Sequence, residues 1–318
     1  MEKPVLHVNL RLVFFITFVL FGFNVSSKPE TRYFLIEDNP RTYRLSTFDL
    51  STRSLYGIDR KITLFNIMFD DFGVASNSES GKIKTEKAPI FLFSVLPDLE
   101  NNSDWKEISL DSVKDKMIHL DYLNSLFIAN TMGVPEQIQR DVTKYFNDYQ
   151  VIVKKSGKYL VSKNCLLQFY SVCNRPDPFT TADNTINIKS APISVLNFEK
   201  IFKNAYPHDT YPLYTIGDNN TFTVFQRMRD RRAYLSKIYK VANGETAYQF
   251  WTFADWHEHL QYYEFDRGID RFVYTAEKGI IGGSFDFYFY FNRKKIGMKF
   301  SSFMNNIKEE KVMIADGL

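Results

Sequence analysis

The sequence predicts an α+β fold in which two antiparallel β-rich regions flank a central helical hairpin. Aromatic residues make up 16% of the chain, mainly as 30 Phe and 19 Tyr, and such residues favour strands. Short apolar runs bounded by turn residues fill most of the chain, whereas helical spacing of apolar residues dominates one central stretch. The 318 residues allow one or two domains. The predicted segments are a signal peptide at 1–27, a β-rich region at 28–108, the helical hairpin at 109–150, a β-hairpin with a short helix at 151–210, and an antiparallel β-rich region at 211–318.

The N-terminal residues have the pattern of a secretory signal peptide. A basic flank precedes an apolar run at 12–23, and the small residues Ser26 and Ser27 follow it. Cleavage after Ser27 would leave Lys28 as the first residue of the mature chain. A signal anchor is the alternative, but a membrane span needs about 20 apolar residues, which is more than this run provides. We therefore expect a secreted, extracellular protein without stable membrane insertion.

Three strands are predicted in the first β-rich region. The runs at 33–37 and 62–69 are rich in aromatic and aliphatic residues. The run at 90–96 is almost entirely apolar, and Pro97 ends it. These runs provide the strands that the composition leads us to expect.

The helical hairpin is predicted from two apolar stripes with steps of three and four residues. Ser112 and Asp115 are spaced as a capping box for the first helix, and Gly133 ends that helix. Pro135 then occupies the first position of the second helix, where its missing N–H is not needed. The first stripe contains Val113, Met117, Leu120, Asn124 and Phe127, and the second contains Ile138, Val142, Tyr145 and Tyr149.

After the helical hairpin the sequence returns to strands around one short helix. A β-hairpin is predicted at 151–161, with its turn at Ser156 and Gly157. An apolar strand follows at 165–173. A helix is predicted at 194–205 because its apolar residues recur at steps of three and four.

The last region is predicted to consist almost entirely of strands. Asn243 and Gly244 separate two strand-like runs and predict a tight hairpin. At 285–291 Phe alternates with Asp and Tyr, which predicts a strand with one buried face and one phenolic face. Such aromatic strands within 211–303 are the expected recognition surface.

The two cysteines, Cys165 and Cys173, leave two states open. In an oxidising compartment a disulfide is the default. The residues between them read as a strand without turn formers. Eight residues of strand span about 26 Å, whereas a disulfide needs Cα atoms within about 7 Å. The sequence is therefore compatible with a disulfide or with two buried free thiols.

Two N-glycosylation sequons, at Asn101 and Asn219, lie among polar turn residues. A glycan at either position would not disturb an apolar core. We predict that both asparagines carry glycans in the secreted chain.

The densest polar cluster of the sequence contains His257 and His259. Histidines two residues apart project to one face of a strand, and the neutral imidazole is a common metal ligand. With Asp255 or Glu264 they could hold zinc or another divalent metal. The pattern differs from that of the zincins, which need histidines four residues apart on a helix. The alternative is that the two histidines are neighbours without a metal; no other cofactor is predicted.

Four arginines fall within one short segment of the last region. Guanidinium groups bind sulfate, phosphate and carboxylate through paired hydrogen bonds. In a secreted protein this favours a polyanion partner such as a sulfated glycan, whereas the chain's net charge of +3 gives no reason to expect nucleic acid. The alternative is a solvated strand edge, where charges prevent edge-to-edge pairing. The segment consists of Arg227, Arg229, Arg231 and Arg232, separated by Met228 and Asp230.

The motifs of common enzyme classes do not occur in the sequence. It lacks a G-x-S-x-G nucleophile elbow, a P-loop and a dinucleotide fingerprint. Both cysteines lie in apolar sequence, which raises the pKa of a thiol. Catalytic residues are therefore not assigned, and a non-enzymatic role is favoured. We expect a secreted binding, adhesion or effector protein that recognises a partner protein or an anionic glycan through the aromatic strands and the four arginines. The alternative is a secreted hydrolase, assisted by a metal at His257 and His259.

Overall fold

Three sheets dominate the computed structural model of the protein. The structure describes residues 30–69, 73–74, 83–84, 88–100, 103–131, 146–174, 185–208, 211, 233–256 and 266–318. Thr31–Leu318 forms one compact unit. The sheets supply most of its core, and the helices are short.

The first sheet has four strands. The strand order is β1 (Arg32–Leu35), β8 (Tyr149–Lys155), β9 (Lys158–Ser162) and β7 (Trp105–Glu107). β1 pairs with β8 in parallel, and the other pairs are antiparallel. The hairpin between β8 and β9 turns at Ser156 and Gly157, both with positive φ, which confirms the predicted turn.

The second sheet has five strands and contains the predicted strands at 62–69, 90–96 and 165–173. The strand order is β11 (Thr185–Ile186), β10 (Asn164–Val172), β6 (Ala88–Leu96), β3 (Lys61–Met68) and β2 (Arg44–Ser51). Its pairs are antiparallel except for the parallel pair of β10 and β11. A separate two-stranded ladder joins β4 (Gly73–Val74) to β5 (Ile83–Lys84).

The third sheet is antiparallel throughout and also has five strands. Asn243 and Gly244 form the turn between its first two strands, as predicted. The strand order is β12 (Tyr234–Lys240), β13 (Thr246–Trp256), β14 (Asp266–Thr275), β15 (Gly279–Gly283) and β16 (Met313–Ile314).

The second sheet is the middle layer, because its central strand β6 is buried on both faces. Leu92 and Leu96 belong to the larger apolar cluster, which also contains core residues of the third sheet. Phe91 and Phe93 face the other way, into a cluster that includes Phe34 of the first sheet. This two-sided burial explains why the strand is apolar at successive positions rather than at alternate ones.

Two long-range contacts join the middle layer to the third sheet. The side-chain amide of Asn66 in β3 donates to the carbonyl of Ile280 and accepts from its N–H, both at 2.9 Å. In the neighbouring edge strand β2, Leu50 bridges Ala315, and the N–H of Asp316 donates to the carbonyl of Asp49 at 3.0 Å. The chain's last residues therefore pair with one of its first strands.

Six short α-helices and one 3₁₀ helix lie among the described residues. The predicted helix at 194–205 is confirmed, and the Ser194 hydroxyl caps it by accepting the N–H of Asn197 at 3.2 Å. The 3₁₀ helix covers Leu110–Lys116. The α-helices are α1 (Arg53–Tyr56), α2 (Leu120–Thr131), α3 (Val195–Ala205), α4 (Asp286–Phe291), α5 (Arg293–Ile296) and α6 (Phe300–Lys308).

The predicted α+β fold with a central helical hairpin is wrong, since the described chain is β-rich with three main sheets and short helices. The N–H of Ile118 donates to the carbonyl of Tyr33 at 2.7 Å, and Met117 bridges the same residue. This pairing with β1 holds Met117 extended and ends the first helical stretch as a 3₁₀ helix. Tyr149 belongs to β8, while the rest of the predicted second stripe lies outside the described residues.

The predicted strand at 285–291 is also wrong, because Asp286–Phe291 forms the helix α4. The alternation of Phe with Asp and Tyr does not separate a buried face from an exposed one. All five residues from 286 to 290 are buried. The side chain of Asp286 is held by buried partners, and the rings on every side of the short helix pack into the core.

Cys165 and Cys173 are free and buried, which corresponds to the second of the two states left open by the sequence. Cys165 lies near the start of β10 and Cys173 directly follows its end, so the extended backbone separates the two sulfurs. Burial raises the pKa of the Cys165 thiol to about 12. This thiol is therefore protonated at physiological pH.

Candidate functional site

Most of the predicted site residues lie outside the described part of the chain. Their roles therefore stay predictions. These residues are the signal peptide at 1–27, the sequon asparagines Asn101 and Asn219, the histidines His257 and His259, and the arginines Arg227, Arg229, Arg231 and Arg232.

Ala233 alone separates the Arg-rich segment from β12, and the second half of that strand, from Lys237 onward, is largely exposed. Lys237 and Lys240 are exposed there, and between them the side chain of Ile238 is 51% exposed. The ammonium group of Lys240 donates to the Thr246 hydroxyl at 2.6 Å. This part of the strand thus exposes positive charge beside an apolar side chain.

A buried carboxylate holds β12 in place. Glu310 is 3% exposed, and its carboxylate accepts from the N–H of Val195 and from the hydroxyl of Ser236, both at 2.5 Å. The first contact places negative charge at the N-terminus of α3, where the helix dipole favours it. The ammonium group of Lys237 lies 3.3 Å from the same carboxylate. Glu310 therefore fixes the strand against the helix and orients the first exposed lysine.

A second buried group of charges centres on Arg271 and Asp286. A nitrogen of the guanidinium lies 2.9 Å from a carboxylate oxygen, and neither side chain is exposed. The other carboxylate oxygen accepts from the Tyr56 hydroxyl at 2.8 Å. The guanidinium also donates to the backbone carbonyls of Ile269 and Lys311 at 3.0 and 2.8 Å. The pair joins α4 to the third sheet, α1 and the C-terminal segment.

Burial controls the protonation of this group. It raises the pKa of Asp286, and the positive charge of Arg271 opposes that rise. Burial and the nearby Asp286 carboxylate raise the pKa of Tyr56 well above its usual range, so the phenol stays neutral and donates its proton. Because the three side chains are enclosed, the group can stabilise the fold but cannot touch a ligand.

An open polar cavity of about 350 Å³ lies where the loop after β6 meets the start of β10 and the helices α4 and α5. Two lysine–carboxylate pairs line it. Lys163 lies 3.0 Å from Asp98, and Lys295 lies 2.5 Å from Glu100. The volume falls within the range of small-molecule sites, about 300–1,000 Å³.

The two pairs lie at different depths. The side chains of Asp98 and Lys163 are 12% and 30% exposed, whereas those of Glu100 and Lys295 are 67% and 47% exposed. The first pair therefore belongs to the inner wall and the second to the mouth. Tyr288 also lines the inner wall, where its hydroxyl donates to the carbonyl of Pro97. Burial raises the pKa of this phenol, which makes it a poor general base.

The inner wall is rigidly built. Arg60 donates to the Asp98 carbonyl at 3.0 Å and to the Asp104 carboxylate at 2.7 Å. Asp104 in turn accepts from the N–H of Asp98 at 2.7 Å. The backbone N–H of Lys163 donates to the Asp104 carbonyl at 2.8 Å. These contacts hold both members of the inner pair by their backbone, so the cavity does not depend on a single flexible side chain.

The expected aromatic recognition surface is largely core in the described part of 211–303. Phe250, Trp251, Phe272 and Tyr290 are buried. Trp251 stacks on Tyr234 with ring centroids 4.4 Å apart, and Phe250 stacks on Phe272 at 5.2 Å. The aromatic content of these strands therefore mainly stabilises the packing of the third sheet.

The residues that the structure describes contain no group of three or more His, Cys, Asp or Glu side chains arranged to hold a metal ion. In the same residues, no helix has the length and apolar character needed to cross a bilayer.

The sequence did not predict the cavity, the buried carboxylate of Glu310 or the buried pair of Arg271 and Asp286. A charged dipeptide, Asp270 and Arg271, between the apolar residues Ile269 and Phe272 was the available signal for a buried ion pair. The cavity had no such signal, because its lining comes from four separate stretches of the chain.

Comparison with known proteins finds no match for the chain among protein families, curated proteins or solved structures.

Proposed function

We propose that this protein is a secreted binding protein that recognises an anionic extracellular partner, such as a sulfated glycan, through residues 227–240. This segment contains six basic residues and one acidic residue, so its net charge is +5. The whole chain carries +3, so the remainder is net negative. Positive charge concentrated in one segment attracts anionic partners more strongly than the same charge spread over the surface.

The exposed half of β12 is the observation that supports this proposal best. Lys237 and Lys240 are exposed on a strand that Glu310 fixes in place, and Ile238 is exposed between them. Lys237 is also paired with the Glu310 carboxylate, so Lys240 and the arginines supply most of the free positive charge. A sulfate or carboxylate of the partner would contact the lysines, while the arginines bind further groups through paired hydrogen bonds. The carboxylates of an acidic protein surface could bind the same lysines and arginines.

Heparin affinity chromatography of the purified full chain tests the proposal. The test variant replaces Arg227, Arg229, Arg231 and Arg232 with Ala, and we expect it to elute at clearly lower salt than the parent, because its ionic contacts are lost. A matched control replaces four exposed lysines elsewhere, Lys106, Lys114, Lys155 and Lys200, with Ala and changes the net charge equally. Equal elution of the test variant and the parent, or equal shifts in both variants, contradicts the proposal.

Secretion and glycosylation form part of the same proposal. Cleavage after Ser27 gives a mature chain that begins at Lys28, which N-terminal sequencing of the exported protein measures. Enzymatic removal of N-glycans lowers its mass by two glycans if Asn101 and Asn219 are both modified. An uncleaved chain that remains in the cytosol contradicts this part of the proposal.

The sequence also predicts a divalent metal site at His257 and His259. With Asp255 or Glu264, these imidazoles would supply the nitrogen and oxygen ligands that zinc accepts, and such a site would favour a secreted hydrolase. Elemental analysis of natively purified protein decides this point: about one metal ion per chain, lost in His257→Ala, supports the site, and none contradicts it.

A further inference from the structure

We propose that the cavity between Asp98 and Lys295 binds a small, neutral, hydroxyl-rich ligand of monosaccharide or disaccharide size. This site lies apart from residues 227–240 in the chain, and the proposal does not depend on anion binding there. Its volume of about 350 Å³ suits a ligand of this size.

The charge arrangement favours a neutral ligand. Two carboxylates and two ammonium groups line the cavity, and each carboxylate lies within 3.0 Å of an ammonium group. An ion that enters meets attraction from one member of a pair and repulsion from the other. A strong ionic contact would therefore require breaking a pair that is already formed.

Hydroxyl groups match these pairs without breaking them. A hydroxyl both donates and accepts, so one hydroxyl of a vicinal diol can donate to the Asp98 carboxylate while its neighbour accepts from the Lys163 ammonium group. Such hydrogen bonds to charged groups are stronger than those between neutral groups. The side chains of Asn164 and Asn292 also line the cavity and add amide groups that can donate and accept.

An aromatic wall suits the less polar surface of a sugar ring. Phe146 lines the cavity, and its ring is stacked on Phe287 with centroids 4.4 Å apart and planes inclined by 13°. Tyr288 packs edge-on against the same ring at 5.4 Å. These contacts hold the Phe146 ring in one orientation, so the cavity combines a fixed apolar surface with hydrogen-bonding groups of both kinds.

The test measures saccharide binding to the full chain by calorimetry. Neutral probes are glucose, galactose, mannose, N-acetylglucosamine, maltose and lactose, and the charged probes are glucuronate, glutamate and lysine. We expect at least one neutral saccharide to bind and to slow amide hydrogen exchange around Asp98 and Asn292. Binding of charged probes alone, failure of every neutral probe to bind, or protection confined to other segments overturns the proposal.

Variants at the mouth of the cavity test the assignment of residues. Glu100→Ala and Lys295→Ala remove an exposed pair, which contributes little to stability, so both variants should fold with an unchanged thermal midpoint. We expect each to weaken saccharide binding by about tenfold, the effect of losing one hydrogen bond to a charged group.

The matched controls are Glu107→Ala and Lys158→Ala. They remove a similarly exposed pair, 2.7 Å apart, in the first sheet. The control affinities should equal that of the parent. Unchanged binding in the two cavity variants, or equal weakening in the controls, overturns the assignment.

Discussion

The guanidinium of Arg271 lies 2.9 Å from the carboxylate of Asp286, and both side chains are completely buried. Each group is surrounded by further hydrogen bonds, from Tyr56 to the carboxylate and from the guanidinium to two backbone carbonyls. Removing one partner leaves the other as an unpaired charge in the core, whereas removing both does not. This asymmetry makes the pair a sharp test of the packing between α4 and the third sheet.

A double-mutant cycle should reveal this asymmetry. We expect Asp286→Leu and Arg271→Met each to lower the free energy of unfolding by about 3–5 kcal/mol. The double variant Arg271→Met with Asp286→Leu should lose much less than the sum of the two. Urea unfolding monitored by circular dichroism provides the values. Additive losses would show that the two charges do not interact in the folded protein.

The Glu245 carboxylate should support stability in a pH-dependent manner. Burial tends to raise its pKa, but hydrogen bonds from Lys278, Thr275 and the N–H of Glu277 outweigh this and lower it. The folded state therefore binds the proton less readily than the unfolded chain. The stabilisation is complete above the unfolded pKa of about 4.5 and disappears as the pH falls through the lowered folded pKa.

Glu245→Gln tests this linkage. We expect the variant to lose about 0.5–1 kcal/mol at pH 7, because its pair with Lys278 is partly exposed, and to match the parent at strongly acidic pH. Unfolding measured between pH 2 and pH 7 gives the comparison. A difference that stays constant across this range would contradict the assigned cause.

The thiols of Cys165 and Cys173 should be present but unreactive in the native protein. Both are buried, and burial raises the pKa of Cys165 to about 12, so little thiolate forms at neutral pH. We expect no rapid alkylation by iodoacetamide under native conditions. After unfolding without a reductant, mass spectrometry should show two alkylated thiols per chain. An unfolded chain that requires reduction before it can be alkylated would contain a disulfide instead.

Gly282→Ala should be severely destabilising. A Cβ atom on Gly282 would lie 2.2 Å from the backbone oxygen of Met313, so β15 and β16 would have to separate. We expect a loss of about 3 kcal/mol in the free energy of unfolding. Gly297→Ala is the control, because space around that residue is open and its positive φ should cost about 1 kcal/mol. Similar losses in the two variants would argue against the close approach of the strands.

Local sequence signals predicted the parts of the fold that depend on local physics. The turns at Ser156–Gly157 and Asn243–Gly244 are confirmed because positive φ at Ser156, Gly157 and Gly244 is a local property of the turn residues. The continuous apolar run of β6 likewise predicts a strand, although not that it has a core on each face. The spacing of apolar residues at 194–205 predicts α3 correctly.

The wrong predictions of helices and strands lie where contacts with residues far away in the sequence outweigh the local spacing of apolar residues. The carbonyl of Tyr33 accepts the N–H of Ile118 and interrupts the predicted first helix, so the α-helix begins only at Leu120. Burial of Asp286 against Arg271 turns an apparent two-residue alternation into a helix with buried surface all round. The cavity is lined by residues from β10, from α4, from α5 and from the loop that follows β6. These segments lie far apart in the sequence, so no local spacing pattern predicts that they form a cavity. Such relationships exist only in the assembled fold.

The bridge between Leu50 and Ala315 means that an early strand receives its last neighbour from the final residues of the chain. This edge of the middle layer can therefore close only after two segments that lie far apart in the chain have met. Contacts so far apart in sequence slow folding. Until the two segments meet, the outer backbone groups of β2 stay open to water or to a strand of another molecule.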